Sequence, residues 1–152
     1  VFRQIDMTRH SPVLLILLLW AAGLGAAMQF AKFAVPFAAL QVAYPNAQAS
    51  LGFMVSLISF LGIVFGLIAG RLVARFGFRR MLLVALVFGA GISAVQSMMP
   101  SLEVMLSLRL VEGLSHLAIV VAAPTLIAQI TTARFLPLAM TLWSTFLVWP
   151  MP

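Results

Sequence analysis

The chain has 152 residues, of which 64% are hydrophobic and only 8% charged, with a formal net charge of +6. A water-soluble domain carries about a quarter charged residues, so this composition excludes a soluble fold and makes lipid the principal solvent. The basic balance does not point to nucleic acid, because the arginines fall in short segments between apolar runs rather than on one polar face. Their expected partners are the anionic headgroups of the bilayer. The absence of cysteine excludes disulfide and thiolate chemistry, and His10 and His116, the only histidines, form no metal-binding cluster. No cofactor, metal or catalytic residue is expected.

Residues 1–12 read as a short polar tail holding Arg3 and Arg9, and residues 13–152 as an all-α, polytopic transmembrane helical bundle. Ser11-Pro12 suits a helix start, and the apolar run from Val13 to about Leu40 is too long for a signal-peptide core. It exceeds the ~20 residues a bilayer requires, which predicts tilt, an extension past the lipid or a kink near Pro36. Gln29, Lys32 and Pro36 share a face of this first span. Lys32 lies near its outer end, where a lysine can snorkel to the interface. Facing inward, it would attract an anionic group or pair with Glu112.

An uncharged connection, Gln41 to Ser50, leads to the second span, Leu51–Gly70. Gly62, Gly66 and Gly70 recur at about one helical turn, a face on which another helix backbone can approach closely. Arg71, Arg75, Arg79 and Arg80 follow as a basic loop around Gly77. The third span is predicted over 81–99, a Pro100-Ser101 turn follows, and the fourth runs over 102–130 with Pro124 inside it. Arg134 lies in the next connection, and residues 136–149 begin a fifth span that Pro150 and Pro152 leave incomplete. Seven arginines thus fall in the tail and the second and fourth loops, against no basic residue in the first and third. That alternation places the N-terminus in the cytoplasm.

Ionisable groups within spans face a bundle interior or an aqueous cavity. Arg109, Glu112 and His116 lie on one face of the fourth span, at spacings of three and four residues. A neutralising Arg109–Glu112 pair could serve packing alone. Ser115 and His116 are adjacent in sequence and point about 100° apart, so they do not form a nucleophile and its base.

Two stretches carry a resemblance. Gly70, Arg75, Gly77, Arg79 and Arg80 resemble the signature loop between the second and third helices of the major facilitator superfamily, although Ala74 stands where that signature has an acidic residue. Arg109-Leu110-Val111-Glu112-Gly113 is similar to the Arg-x-x-(Gln/Glu)-Gly signature on that family's fourth helix. The resemblance implies the first five or so helices of a twelve-helix fold in which two halves rock about a central site. It implies a secondary transporter of a small solute, driven by protons or by exchange, in an inner (plasma) membrane of bacterial type. Gly70, Arg75, Gly77, Arg79 and Arg80 would form a cytoplasmic gate, loosened by Ala74. Lys32, Gln29, Arg109, Glu112 and His116 would line the cavity or couple ions. The chain is expected to be the N-terminal part of such a protein, needing a C-terminal half to transport. The competing reading is a non-transporting assembly or regulatory subunit that binds a partner helix through Gly62, Gly66 and Gly70.

Overall fold

The computed structural model describes residues 12–147. They form an all-α bundle of α1 (Pro12–Ala34), α2 (Phe37–Ala43), α3 (Gln48–Phe76), α4 (Phe78–Ser97), α5 (Leu102–Ile130) and α6 (Leu136–Ser144), followed by a 3₁₀ turn, Thr145–Leu147. Four helices, α1, α3, α4 and α5, are long and apolar enough to cross a membrane, which makes this a multi-pass membrane protein. Large apolar side chains such as Phe60, Ile63, Leu67, Val87 and Leu114 stand exposed around the bundle. In water that surface would be a liability; in lipid it is the solvated face.

Helix α5 is the axis, in contact with α1, α3 and α4. Its buried face includes Met105, Arg109, Glu112, Gly113, Ser115, Ala118, Ala122 and Ala123. Gly113, Ser115, Ala118, Ala122 and Ala123 are small, as expected where packing rather than water exclusion holds helices side by side. A Cβ on Gly113 would collide with the tip of the Leu61 side chain and lie in ordinary contact, 3.7 Å, with the Ile58 backbone, so α3 packs directly on α5 at this glycine. Ala22, Gly23, Ala26, Gln29 and Phe33 form the buried stripe of α1, and Leu82, Ala85, Gly89, Ile92 and Gln96 that of α4. Both follow the helical repeat. The 3₁₀ turn is tied to α1 by Trp20 Nε1, which donates to Thr145 Oγ1 at 3.0 Å, while Trp143 and Phe146 pack over Gly23.

Several boundaries differ from those the sequence suggests. The first apolar run does not continue as one helix to Leu40: α1 ends at Ala34, and α2 resumes after Val35-Pro36. Proline lacks the amide donor and disfavours helical geometry in the residue before it, so the helix breaks rather than bends. Helix α3 runs six residues past Gly70, carrying Arg71 and Arg75 on its exposed side while Val73 is buried. Arginine is a good helix former, and the packing of Val73 continues the helix through what reads as a loop. The whole connection to α4 is Gly77, whose φ of 93° suits glycine. Helix α5 stays unbroken through Pro124. Helix α6 covers only Leu136–Ser144, and the end of the expected fifth span lies outside the described residues.

The ends of the bundle differ in charge. Arg71, Arg75, Arg79, Arg80 and Arg134 lie at the end where α3 and α5 finish and α4 and α6 begin. The start of α1 is there too, since Val13 and Leu17 share an apolar groove with Phe135 and Leu138. At the opposite end the Tyr44 hydroxyl donates to the Pro100 carbonyl at 2.6 Å, clamping the α2–α3 connection to the α4–α5 turn. Arg3 and Arg9 lie outside the described residues.

Gly113→Leu is expected to destabilise the bundle by about 1–3 kcal/mol through overpacking against α3. Gly66→Leu, where a Cβ meets nothing within 4 Å, should leave it unchanged. Thermal unfolding of the detergent-solubilised variants checks the contrast; equal losses would contradict the packing described.

Candidate functional site: a shared carboxylate between four helices

Two residues three apart on α5, Arg109 and Glu112, occupy the same helix face, and both are fully buried. Arg109 Nη1 donates to Glu112 Oε2 at 2.7 Å and to the Gln29 carbonyl of α1 at 2.5 Å. Arg109 Nε donates to the Met54 carbonyl of α3 at 3.0 Å. The Phe33 ring covers the guanidinium, its centroid 4.4 Å from Cζ, a cation–π contact.

The other carboxylate oxygen faces α1 and α4. Lys32 Nζ forms an ion pair with Glu112 Oε1 and also donates to Ser93 Oγ at 2.7 Å and Gln96 Oε1 at 2.5 Å. An ammonium has three donors, so these contacts use all of them. Ser93 Oγ donates to Glu112 Oε1 at 3.0 Å. Glu112 is therefore shared by two cations, and the cluster draws on every membrane-length helix. The side chains of Arg109 and Glu112 have 0% exposure, whereas that of Lys32 retains 27%.

Lys32 is not at a helix end in the membrane sense. Glu112 lies ten residues into α5, roughly 15 Å from the α4–α5 turn at a helical rise and near the middle of a ~30 Å hydrocarbon layer, and Lys32, paired with it, lies at the same depth. Snorkelling to the interface is thereby replaced by ion pairing.

Gln29 is buried in the cluster, its carbonyl bonded to Arg109 while its side-chain Oε1 has no partner. His116, one turn beyond Glu112, reaches α1: Nδ1 lies 3.1 Å from the Ala26 carbonyl, to which it donates. Gly70, Arg75, Gly77, Arg79 and Arg80 are elsewhere. From Met54 to Gly77 along α3 is roughly 35 Å at the helical rise. The side chains of Arg75, Arg79 and Arg80 are exposed at the basic end, and they form no ion pair among the described residues. A Cβ added at Gly62, Gly66 or Gly70 would meet nothing within 4 Å, so no helix of the described chain covers that face.

Ser93 and Gln96 join the site although sequence reasoning passed over them. Their signal was present: Gly89, Ser93 and Gln96 follow one another by four and three residues in an otherwise apolar span. Gly89 belongs to the same device, because a Cβ there would lie 2.6 Å from Ser115 Oγ and would strike the Gln29 amide. Ser115 itself donates to the Ala85 carbonyl at 2.6 Å, which ties α5 to α4 just beyond the ions. Among the described residues no three His, Cys, Asp or Glu side chains come together as metal ligands.

Removing the shared carboxylate should cost more than removing either cation's partner contacts alone. Glu112→Gln leaves two cations facing one another and is expected to lose about 3 kcal/mol or more. Lys32→Gln leaves a neutral Arg109–Glu112 pair and should lose less than half as much. Thermal unfolding in detergent ranks the two; the opposite order would contradict the sharing.

Comparison of the chain with protein-family models, with characterised proteins and with solved structures finds no match.

Proposed function

We propose that these helices form one wall of the solute pathway of a secondary transporter of the major facilitator type, in which Glu112 links ion binding to alternating access. The observation that carries this reading is the charge cluster at mid-membrane, with two members sealed and the third, Lys32, partly open. A charged side chain partly exposed at that depth cannot face hydrocarbon without a large cost; it faces a water-filled path or further protein. The two stretches that resemble the family, Gly70–Arg80 and Arg109–Gly113, support the same reading. The resemblance implies a second set of helices that closes the pathway, and a small-molecule substrate between the two.

Protonation of Glu112 would weaken its bonds to Lys32 and Arg109 and so loosen α1 and α4 from α5. A ligand or proton shifts a conformational equilibrium only by its differential affinity for the two states. Glu112 supplies that difference, because its ionised form is the one that joins three helices through side-chain bonds. The orientation that accompanies this reading puts the arginine-rich end in the cytoplasm.

A second reading has one observation in its favour: the uncovered face of Gly62, Gly66 and Gly70 suits a partner helix. On that account the chain is a non-transporting subunit, and the ion cluster serves packing alone.

In membrane vesicles carrying the complete protein, Glu112→Gln should abolish uptake driven by a pH gradient while solute exchange persists; unchanged coupled uptake would rule out the coupling role. Because the chain has no cysteine, topology can be read from single introduced ones. A cysteine at Ala74 should react with an impermeant reagent only in inside-out vesicles, and one at Ala43 only in right-side-out vesicles.

A further inference from the structure

Lys32 and Arg109 carry two positive charges in the cluster, and Glu112 carries one negative, leaving one uncompensated positive charge in the membrane interior. The same place holds an unused donor. Gln96 is buried, its Oε1 accepts from Lys32, and its amide Nε2 has no partner. Nε2 and Oε1 share one amide carbon, so an unpartnered donor lies beside the oxygen that Lys32 holds. Of the three ions, only Lys32 has appreciable exposure.

We infer that Lys32 and Gln96 form the binding site for a small monoanion, best a carboxylate, which takes the place of Glu112 as the counter-ion of Lys32. This rests on the transporter reading and names the substrate class of that site. A carboxylate brings two acceptor oxygens, one for Nζ and one for Nε2. A cation would add to a charge already in excess, and a neutral solute could not serve as the counter-ion of Lys32 once Glu112 is protonated.

The exchange keeps its charge balance. A proton from the aqueous side binds the Glu112 carboxylate; no other covalent bond forms or breaks. The protonated acid can donate to Ser93 Oγ, which lies 3.0 Å away and can accept as readily as donate. Lys32, freed of Glu112, then binds the incoming anion. Before the exchange the three side chains sum to +1. Afterwards Lys32 and Arg109 are opposed by the anion alone, and the sum is again +1. Adding a proton and an anion together leaves the buried charge unchanged, whereas either alone alters it in a medium where uncompensated charge is costly. The groups facing Glu112 allow this. Helix α1 supplies Lys32, and α5 itself supplies Arg109 and, one turn on, His116. Helix α4 presents the uncharged Ser93 and Gln96, and α3 contributes the Met54 carbonyl through Arg109.

The test is ligand-dependent thermal unfolding of the full purified protein, with acetate and benzoate set against acetamide, benzamide and benzylamine between pH 5 and 8. The carboxylates alone should raise the unfolding temperature of the wild-type protein. Their apparent affinity should rise by up to about tenfold per unit fall in pH, the slope of one proton bound with each anion. In Glu112→Gln, where Lys32 is free at every pH, that dependence should vanish. Gln96→Leu should weaken carboxylate binding about fivefold or more and Lys32→Gln should abolish it; these variants and the wild-type slope decide the matter if Glu112→Gln does not fold. An equal response to amide or amine, no response to carboxylate, or binding that survives Lys32→Gln would overturn the anion site. Carboxylate binding with this signature but without flux would uphold the site and remove the transport reading. Flux of a cation or neutral solute without carboxylate binding would do the reverse.

Discussion

A single carboxylate held between two cations, out of reach of water, is the constraint on which this bundle depends. Glu112 gives one oxygen to Arg109 on its own helix and the other to Lys32 on α1, with Ser93 of α4 alongside. Arg109 extends the connection to the backbone carbonyls of α1 and α3. In lipid, apolar contact between helices has little advantage over apolar contact with acyl chains, so packing and polar bonds carry more of the specificity. Gly89 and Gly113 serve that end by leaving room for neighbouring side chains, Gln29 and Ser115 at the first and Leu61 at the second, beside the ions.

The same arrangement is stable in structure yet poised in charge. Removing one buried partner is costly because it strands the others, which makes protonation of Glu112 an event that the surrounding helices must feel. A cluster built for packing alone could be fully sealed and neutral. This one is neither, since Lys32 is partly open and the charges do not cancel. On the proposed reading, those two departures make the cluster a site that binds and releases ions rather than a packing motif alone.

Much of this was legible in the chain, and the part that was not has physical reasons. The all-α, multi-span character followed from the long apolar runs. The α5 face was readable because Arg109, Glu112 and His116 are spaced by three and four residues in an apolar span. The depth of Lys32 was not readable, because its partner sets it: Lys32 looks peripheral on its own helix, yet it meets Glu112, ten residues into α5. Ser93 and Gln96 were missed because uncharged polar residues are weaker signals than ions. The reach of α3 through Arg71 and Arg75 was obscured by arginines that sit as comfortably on a helix as in a loop. The glycines of α3 show the limit of spacing arguments: the pattern is real, but among the described residues nothing packs on it.

The central claim, that Lys32 and Glu112 share one buried ion pair, is tested most directly by a double-mutant cycle on stability, using Lys32→Met, Glu112→Gln and the double variant. Residues in contact couple by about 0.5–3 kcal/mol, and this account predicts a value in the upper half of that range, with the double variant losing less than the sum of the singles. Additive losses, with coupling near zero, would show that the two side chains do not meet and would contradict the account.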